Sequence, residues 1–166
     1  MKNEKKFWIV SELFYPDETS SGYYLTEIAK KIAQFQEVNV ICGPSTYEKN
    51  SNLISKEPLP PRINVFRVNV ISLNKNKIIS RIIRLVNLTF SFMLKLAINV
   101  KKGDKVLLVT NPAFLVPIAT LLSKIIGFHL TILVHDVFPE NLTSTNLLNS
   151  KNVIYRLLKL DRKSVV

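Results

Sequence analysis

The strongest constraint on this chain is the shortness of its apolar runs. Segments 6–11, 38–42, 105–110 and 129–134 are dominated by Ile, Leu, Val and Phe, and each is bounded by charge, Gly or Pro. Runs this short cannot present the repeated face of an amphipathic helix. They suit strands covered on both sides, as in a parallel sheet.

The intervening segments carry the other period. After 11–24, SELFYPDETSSGYY, the residues Leu25, Ile28, Ala29, Ile32 and Ala33 fall on one helical face, with Glu27, Lys30 and Lys31 opposite. Segment 63–71 alternates well enough for a third strand, at an edge or bent. Segment 75–102 predicts a long helix; Arg81, Arg84 and Lys95 interrupt it, so no uncharged run reaches the ~18–20 residues of a spanning helix. A buried crossover helix with solvated charges fits that pattern, and so does a helix able to rest on an anionic bilayer. Pro112 opens a further helix, apolar nearly all round and so expected to be deeply buried, with Gly127 closing it. Ser150 caps a last amphipathic helix. Between 45 and 61 the chain is polar and Pro-rich, a loop at the carboxyl end of the second strand. The order β-α-β-β-α-β-α-β-α predicts a doubly wound, mostly parallel, Rossmann-like α/β sheet.

With 166 residues, 47% of them hydrophobic, the chain has material for one folded domain. Its single cysteine, Cys42, excludes an internal disulfide and a multi-cysteine metal site and fits a reducing compartment. No cationic leader with an apolar core precedes the first strand, so a cytoplasmic location is expected. A net charge of +11 calls for an anionic partner: nucleic acid, an acidic membrane surface or phosphorylated substrates. For nucleic acid the charge is the only support, because aromatic and basic residues are not interleaved as in RNA-binding motifs.

In a parallel sheet every carboxyl end points the same way, so three polar clusters should converge on one edge: 15–24, Thr110-Asn111-Pro112, and 135–140. Ser20, Ser21 and Gly22 allow close approach to the backbone at a helix start, where free N–H groups suit an anion. His135-Asp136 is the most suggestive pair. One of them can face the crevice as a hydrogen-bonding or acid/base group, while a core histidine and a turn or cap aspartate account for the same residues. There is no GxGxxG after the first strand, no Walker A sequence, no HExxH or zinc spacing and no GxSxG elbow. Hydrolase, nucleotide-kinase and dinucleotide readings lose weight accordingly.

FYPDETSSGYYLTEIAKKIA, VNVICGPSTY, TNPAFLVPIA and HDVFPENL, in that order, resemble the amino-terminal domain of family 4 glycosyltransferases of the GT-B fold. Among these the chain is most similar to bacterial enzymes of the fucosamine-transferase type, which build O-antigen or capsule. The resemblance implies that 1–166 is the acceptor-side half of a retaining transferase. Such an enzyme moves a sugar from a nucleotide donor to a lipid-linked saccharide, with no metal and no cofactor beyond the nucleotide-sugar co-substrate. It implies donor phosphates near Gly22 and Ser21, and reacting-sugar contacts at Asp136 and His135. The acceptor-side loops would include Tyr15, Asp17, Glu18, Tyr23, Asn111 and Glu140. The anionic inner face of the plasma membrane is the implied setting.

Two departures matter. Phe35-Gln36 stands where such enzymes often carry Gly-His, and the sequence stops at Val166, before the carboxyl-terminal domain that holds most of the nucleotide-sugar site. The expectation is therefore an acceptor half that acts with a donor-binding partner chain, or else an inactive truncated remnant.

Overall fold

The computed structural model describes residues 5–17, 19–45, 58–70, 78–112 and 114–134. Apart from Val134, all belong to the compact unit Met1–Leu133. Within it run β1 (Phe7–Ser11), α1 (Ser20–Ala33), β2 (Val38–Cys42), β3 (Ile63–Arg67), α2 (Ile78–Asn99), β4 (Lys105–Val109), α3 (Leu115–Ile126) and β5 (His129–Leu133). The expected last helix, at 150 onward, lies outside the described residues.

The strands form one all-parallel sheet in the order β3-β2-β1-β4-β5, so the fold is α/β with a Rossmann-like arrangement. The inner strands carry the most deeply buried apolar side chains: Trp8, Ile9 and Val10 of β1 and Val38, Val40 and Ile41 of β2 are all buried, with Asn39 the one polar residue of β2. Two cores flank the sheet. On one face Val10, Ile41, Val106 and Leu108 meet Leu88, Phe92 and Leu96 of α2 and Leu115 and Ala119 of α3. On the other, Ile9, Val40 and Cys42 meet Leu25, Ala29 and Ala33 of α1. This split follows from the strand order. The chain winds outward from β1 in two opposite directions, and right-handed crossovers then put their helices on opposite faces.

Three expectations are corrected. The third strand stops at Arg67 rather than reaching 71. The helix expected from Pro112 begins at Leu115, whose N–H bonds the Pro112 carbonyl. That helix is not deeply buried either: Leu121 is 60% and Ile125 71% exposed, and of its twelve residues only Leu115 and Ala119 are buried. Its apolar circumference exceeds what its neighbours can cover, because the described residues supply the sheet on one side and α2 on another, and nothing beyond. Its end is as expected, with Gly127 left-handed at φ 84° and its N–H on the Ser123 carbonyl.

Candidate functional site at the switch point

The sheet reverses its winding between β1 and β4, which pair directly from Phe7↔Lys105 to Val10↔Leu108. In such sheets the crevice outside the carboxyl ends at the reversal is where ligands bind. Two of the three polar clusters follow these strands: 15–24 after β1 and Thr110-Asn111-Pro112 after β4. The third, with His135, Asp136 and Glu140, lies outside the described residues, as does Glu18.

The first loop is held from three sides. Glu12 accepts Gly43 N–H through its carbonyl at 3.0 Å, and its carboxylate pairs with Arg84 of α2 at 3.3 Å. Arg67, at the end of β3, donates to the Tyr15 carbonyl at 2.7 Å and to the Gly43 carbonyl at 3.2 Å. Asp17 is buried; its N–H reaches the Phe14 carbonyl and its carboxylate accepts from the Ser45 hydroxyl at 3.3 Å. The edge of the sheet is thus a fixed platform joining the ends of β1, β2 and β3. Tyr15-Pro16 and Asn111-Pro112, one in each switch-point loop, are both cis.

The helix starts earlier than the apolar period alone suggests. Thr19 is extended (φ −76°, ψ 154°) and its hydroxyl accepts the Gly22 N–H at 3.1 Å, so Ser20, Ser21, Gly22, Tyr23 and Tyr24 form the first turn of α1. Gly22 is buried, and a Cβ there would sit 2.6 Å from the Asp17 carbonyl oxygen. The glycine therefore lets the loop pack against the helix, with its own N–H committed to the cap. Ser20 and Ser21 supply the first-turn amides left outside that cap. Tyr23 and Tyr24 are exposed, their rings edge-on with centroids 5.8 Å apart. Across the switch point Asn111 is exposed, as is Phe114 at the start of α3.

Of the residues singled out in the sequence, Tyr15, Asp17, Ser21, Gly22, Tyr23 and Asn111 all lie at this carboxyl edge. Asp17 is structural in its contacts, while Tyr23 and Asn111 are open to solvent. Sequence reasoning missed Glu12, Arg67 and Arg84. Their partners lie 24 to 72 residues away, and no local pattern announces such contacts. Among the described residues no group of three or more His, Cys, Asp or Glu side chains could hold a metal ion.

The chain is 34% identical, over 155 residues, to a protein described as probable glycosyltransferase WbjE of Pseudomonas aeruginosa. The match takes in 93% of this chain and 37% of that protein, so the chain spans little more than a third of the curated relative's length. No protein-family profile matches the chain. Among solved structures there is likewise no match. Over nearly its whole length, then, the chain is a homologue of part of a probable glycosyltransferase.

Proposed function

We propose that the chain is the acceptor-side domain of a family 4, GT-B type retaining glycosyltransferase. It would transfer a sugar from a nucleotide-sugar to a lipid-linked saccharide in surface polysaccharide synthesis, at the inner face of the plasma membrane. The observation that carries this reading is the match to the probable glycosyltransferase along 93% of the chain, including both switch-point loops.

The chemistry is compatible. A nucleotide-sugar brings a diphosphate, and a helix start with uncommitted amides at a sheet's carboxyl edge suits one. In this reading Ser21, with Ser20 beside it, faces the donor phosphates, and Gly22 allows the close packing that sets their approach. Tyr15, Tyr23 and Asn111 line the acceptor side, with Asp17 supporting the loop and Glu18 and Glu140 contributing beyond it. Asp136 and His135 contact the reacting sugar. A donor-binding domain facing this edge would exclude water and align the two substrates.

The test is transfer of radiolabel from a panel of nucleotide-sugars to the organic-phase lipid fraction of bacterial membranes. Both the chain and any longer product of its gene would be assayed, with Asp136→Asn and His135→Ala beside the parent. Label in lipid, lost in Asp136→Asn, is the expected result. No transfer by either product from any donor would overturn the proposal.

A further inference from the structure

The side of α2 that faces the core changes character where the sheet ends. Downstream it carries Leu88, Phe92 and Leu96, all buried against the strands. One turn before Leu88 the same side carries Arg84, and three residues earlier position 81 is arginine as well. Cations on a core-facing stripe would be costly if the core reached them. It does not reach Arg84.

Length is the reason. At 22 residues α2 is about 33 Å long, whereas the five-residue strands beneath it span about 17 Å. Part of the excess falls at the carboxyl edge, because Arg84 meets Glu12, the residue that follows β1. The first turns of α2 therefore project past the strands, and their inner side is turned toward the switch-point crevice.

Arg84 is only partly used there. A guanidinium offers a fork of N–H donors. Among the described residues its one polar partner is the Glu12 carboxylate at 3.3 Å, and the side chain stays 44% exposed. Glu12 itself is anchored through its main chain, which accepts the Gly43 N–H, while its Cγ lies 3.4 Å from the place a Gly43 Cβ would take. An ion pair this open adds little to stability. Its effect is to keep a carboxylate on a guanidinium at the rim of the crevice.

We propose that this overhang is a phosphate subsite, and that Glu12 occupies Arg84 until the diphosphate of a lipid-linked acceptor takes the carboxylate's place. Phosphate suits the fork, since two of its oxygens can accept parallel N–H bonds from one guanidinium. Position assigns it to the acceptor. The first turn of α1, which suits the donor phosphates, belongs to a helix packed on one face of the sheet, whereas α2 lies on the other. Two phosphate-bearing substrates would thus enter the crevice against opposite walls. The identity of the acceptor rests on the functional reading above, but phosphate binding is measured without any sugar transfer.

The experiment is calorimetric titration of the full chain with farnesyl diphosphate and with UDP, farnesol being the control that lacks phosphate. Farnesyl diphosphate should bind more tightly than farnesol. Arg84→Ala should raise its Kd about tenfold, and Arg84→Lys, which keeps the charge but not the fork, should lose less. Glu12→Gln should act in the opposite direction and lower the Kd about threefold, because it removes the competing charge and leaves the main-chain bond to Gly43 intact. That opposition of sign separates a ligand site from a brace, for a pair that only holds the loop would weaken binding when either partner is changed. Melting temperatures should stay close to the parent's throughout. Farnesyl diphosphate bound no better than farnesol, a Kd unmoved by Arg84→Ala, or weaker binding by Glu12→Gln would each overturn the proposal. A loss confined to UDP would give Arg84 to the donor and overturn it too. If the three variants behave as expected and no donor supports sugar transfer, the phosphate subsite stands and the functional reading falls.

Discussion

Trp8 of β1 donates its indole N–H to a carboxylate oxygen of Asp104 at 3.1 Å, joining residues 96 positions apart inside the core. The same carboxylate accepts the Lys6 N–H and the Lys101 N–H, each at 3.0 Å. Asp104 thus ties the amino ends of β1 and β4 to the turn that follows α2, and its own carbonyl takes the His129 N–H at the start of β5. A buried charge is tolerated here because three donors replace its water. Asp104→Ala strands all three, each loss being worth about 1–3 kcal/mol and not additive. The expected cost is about 3 kcal/mol in urea unfolding followed by circular dichroism. A change below about 1 kcal/mol would show that the hub is dispensable.

Gly22 gives a prediction whose sign runs against intrinsic propensity. Within a helix, alanine is favoured over glycine by about 1 kcal/mol. At Gly22 the added methyl would stand 2.6 Å from the Asp17 carbonyl oxygen and 3.0 Å from the Thr19 hydroxyl, both parts of the capped loop. Gly22→Ala should therefore destabilise by about 1–2 kcal/mol. A raised melting temperature would mean that the loop yields freely and that glycine is not needed for packing.

How much of this was legible in the sequence depends on the range of the interaction. The strands at Phe7–Ser11, Val38–Cys42, Lys105–Val109 and His129–Leu133, and the core face of α1, follow from local apolar spacing and stand nearly where that spacing puts them. The start of α1 was less clear, because Thr19, Ser20 and Ser21 are all competent caps and only the Thr19 bond to Gly22 decides among them. Burial of α3 was overestimated, since a sequence shows which side chains are apolar and not how many neighbours arrive to cover them. At the candidate site the loops could be placed from strand order alone. Their restraints, Arg67 to Tyr15 and Arg84 to Glu12, are tertiary contacts without a local signature.

Asn39 marks a place where the fold tolerates a poor residue. It is buried in β2, its side-chain oxygen accepts from Asn64 at 3.3 Å, and its Nδ2 has no partner among the described residues. An unmatched buried amide group costs stability, and asparagine is disfavoured in strands. Asn64 is exposed and can turn to water. Asn39→Val should hold or raise stability, by up to about 1 kcal/mol, as read from the urea midpoint. A loss above about 1 kcal/mol would show that the Asn39–Asn64 pair matters more than the orphaned group.

The donor-phosphate assignment can be tested by removing one backbone donor. Ser20 is the first residue of α1, so its N–H has no partner within the helix. Proline is well accepted at that position, and it requires an extended residue before it, which Thr19 already is at ψ 154°. Ser20→Pro deletes the amide while leaving the Thr19 to Gly22 cap in place, so stability should change by less than about 0.5 kcal/mol. If that amide meets a phosphate, a charge-assisted hydrogen bond is lost. The kcat/KM for the nucleotide-sugar should then fall about tenfold, the equivalent of about 1.4 kcal/mol. Ser20→Ala keeps the amide and should retain most of the parent rate, which separates the backbone donor from the hydroxyl. Equal rates for the proline and alanine variants would move the donor phosphates away from this helix start.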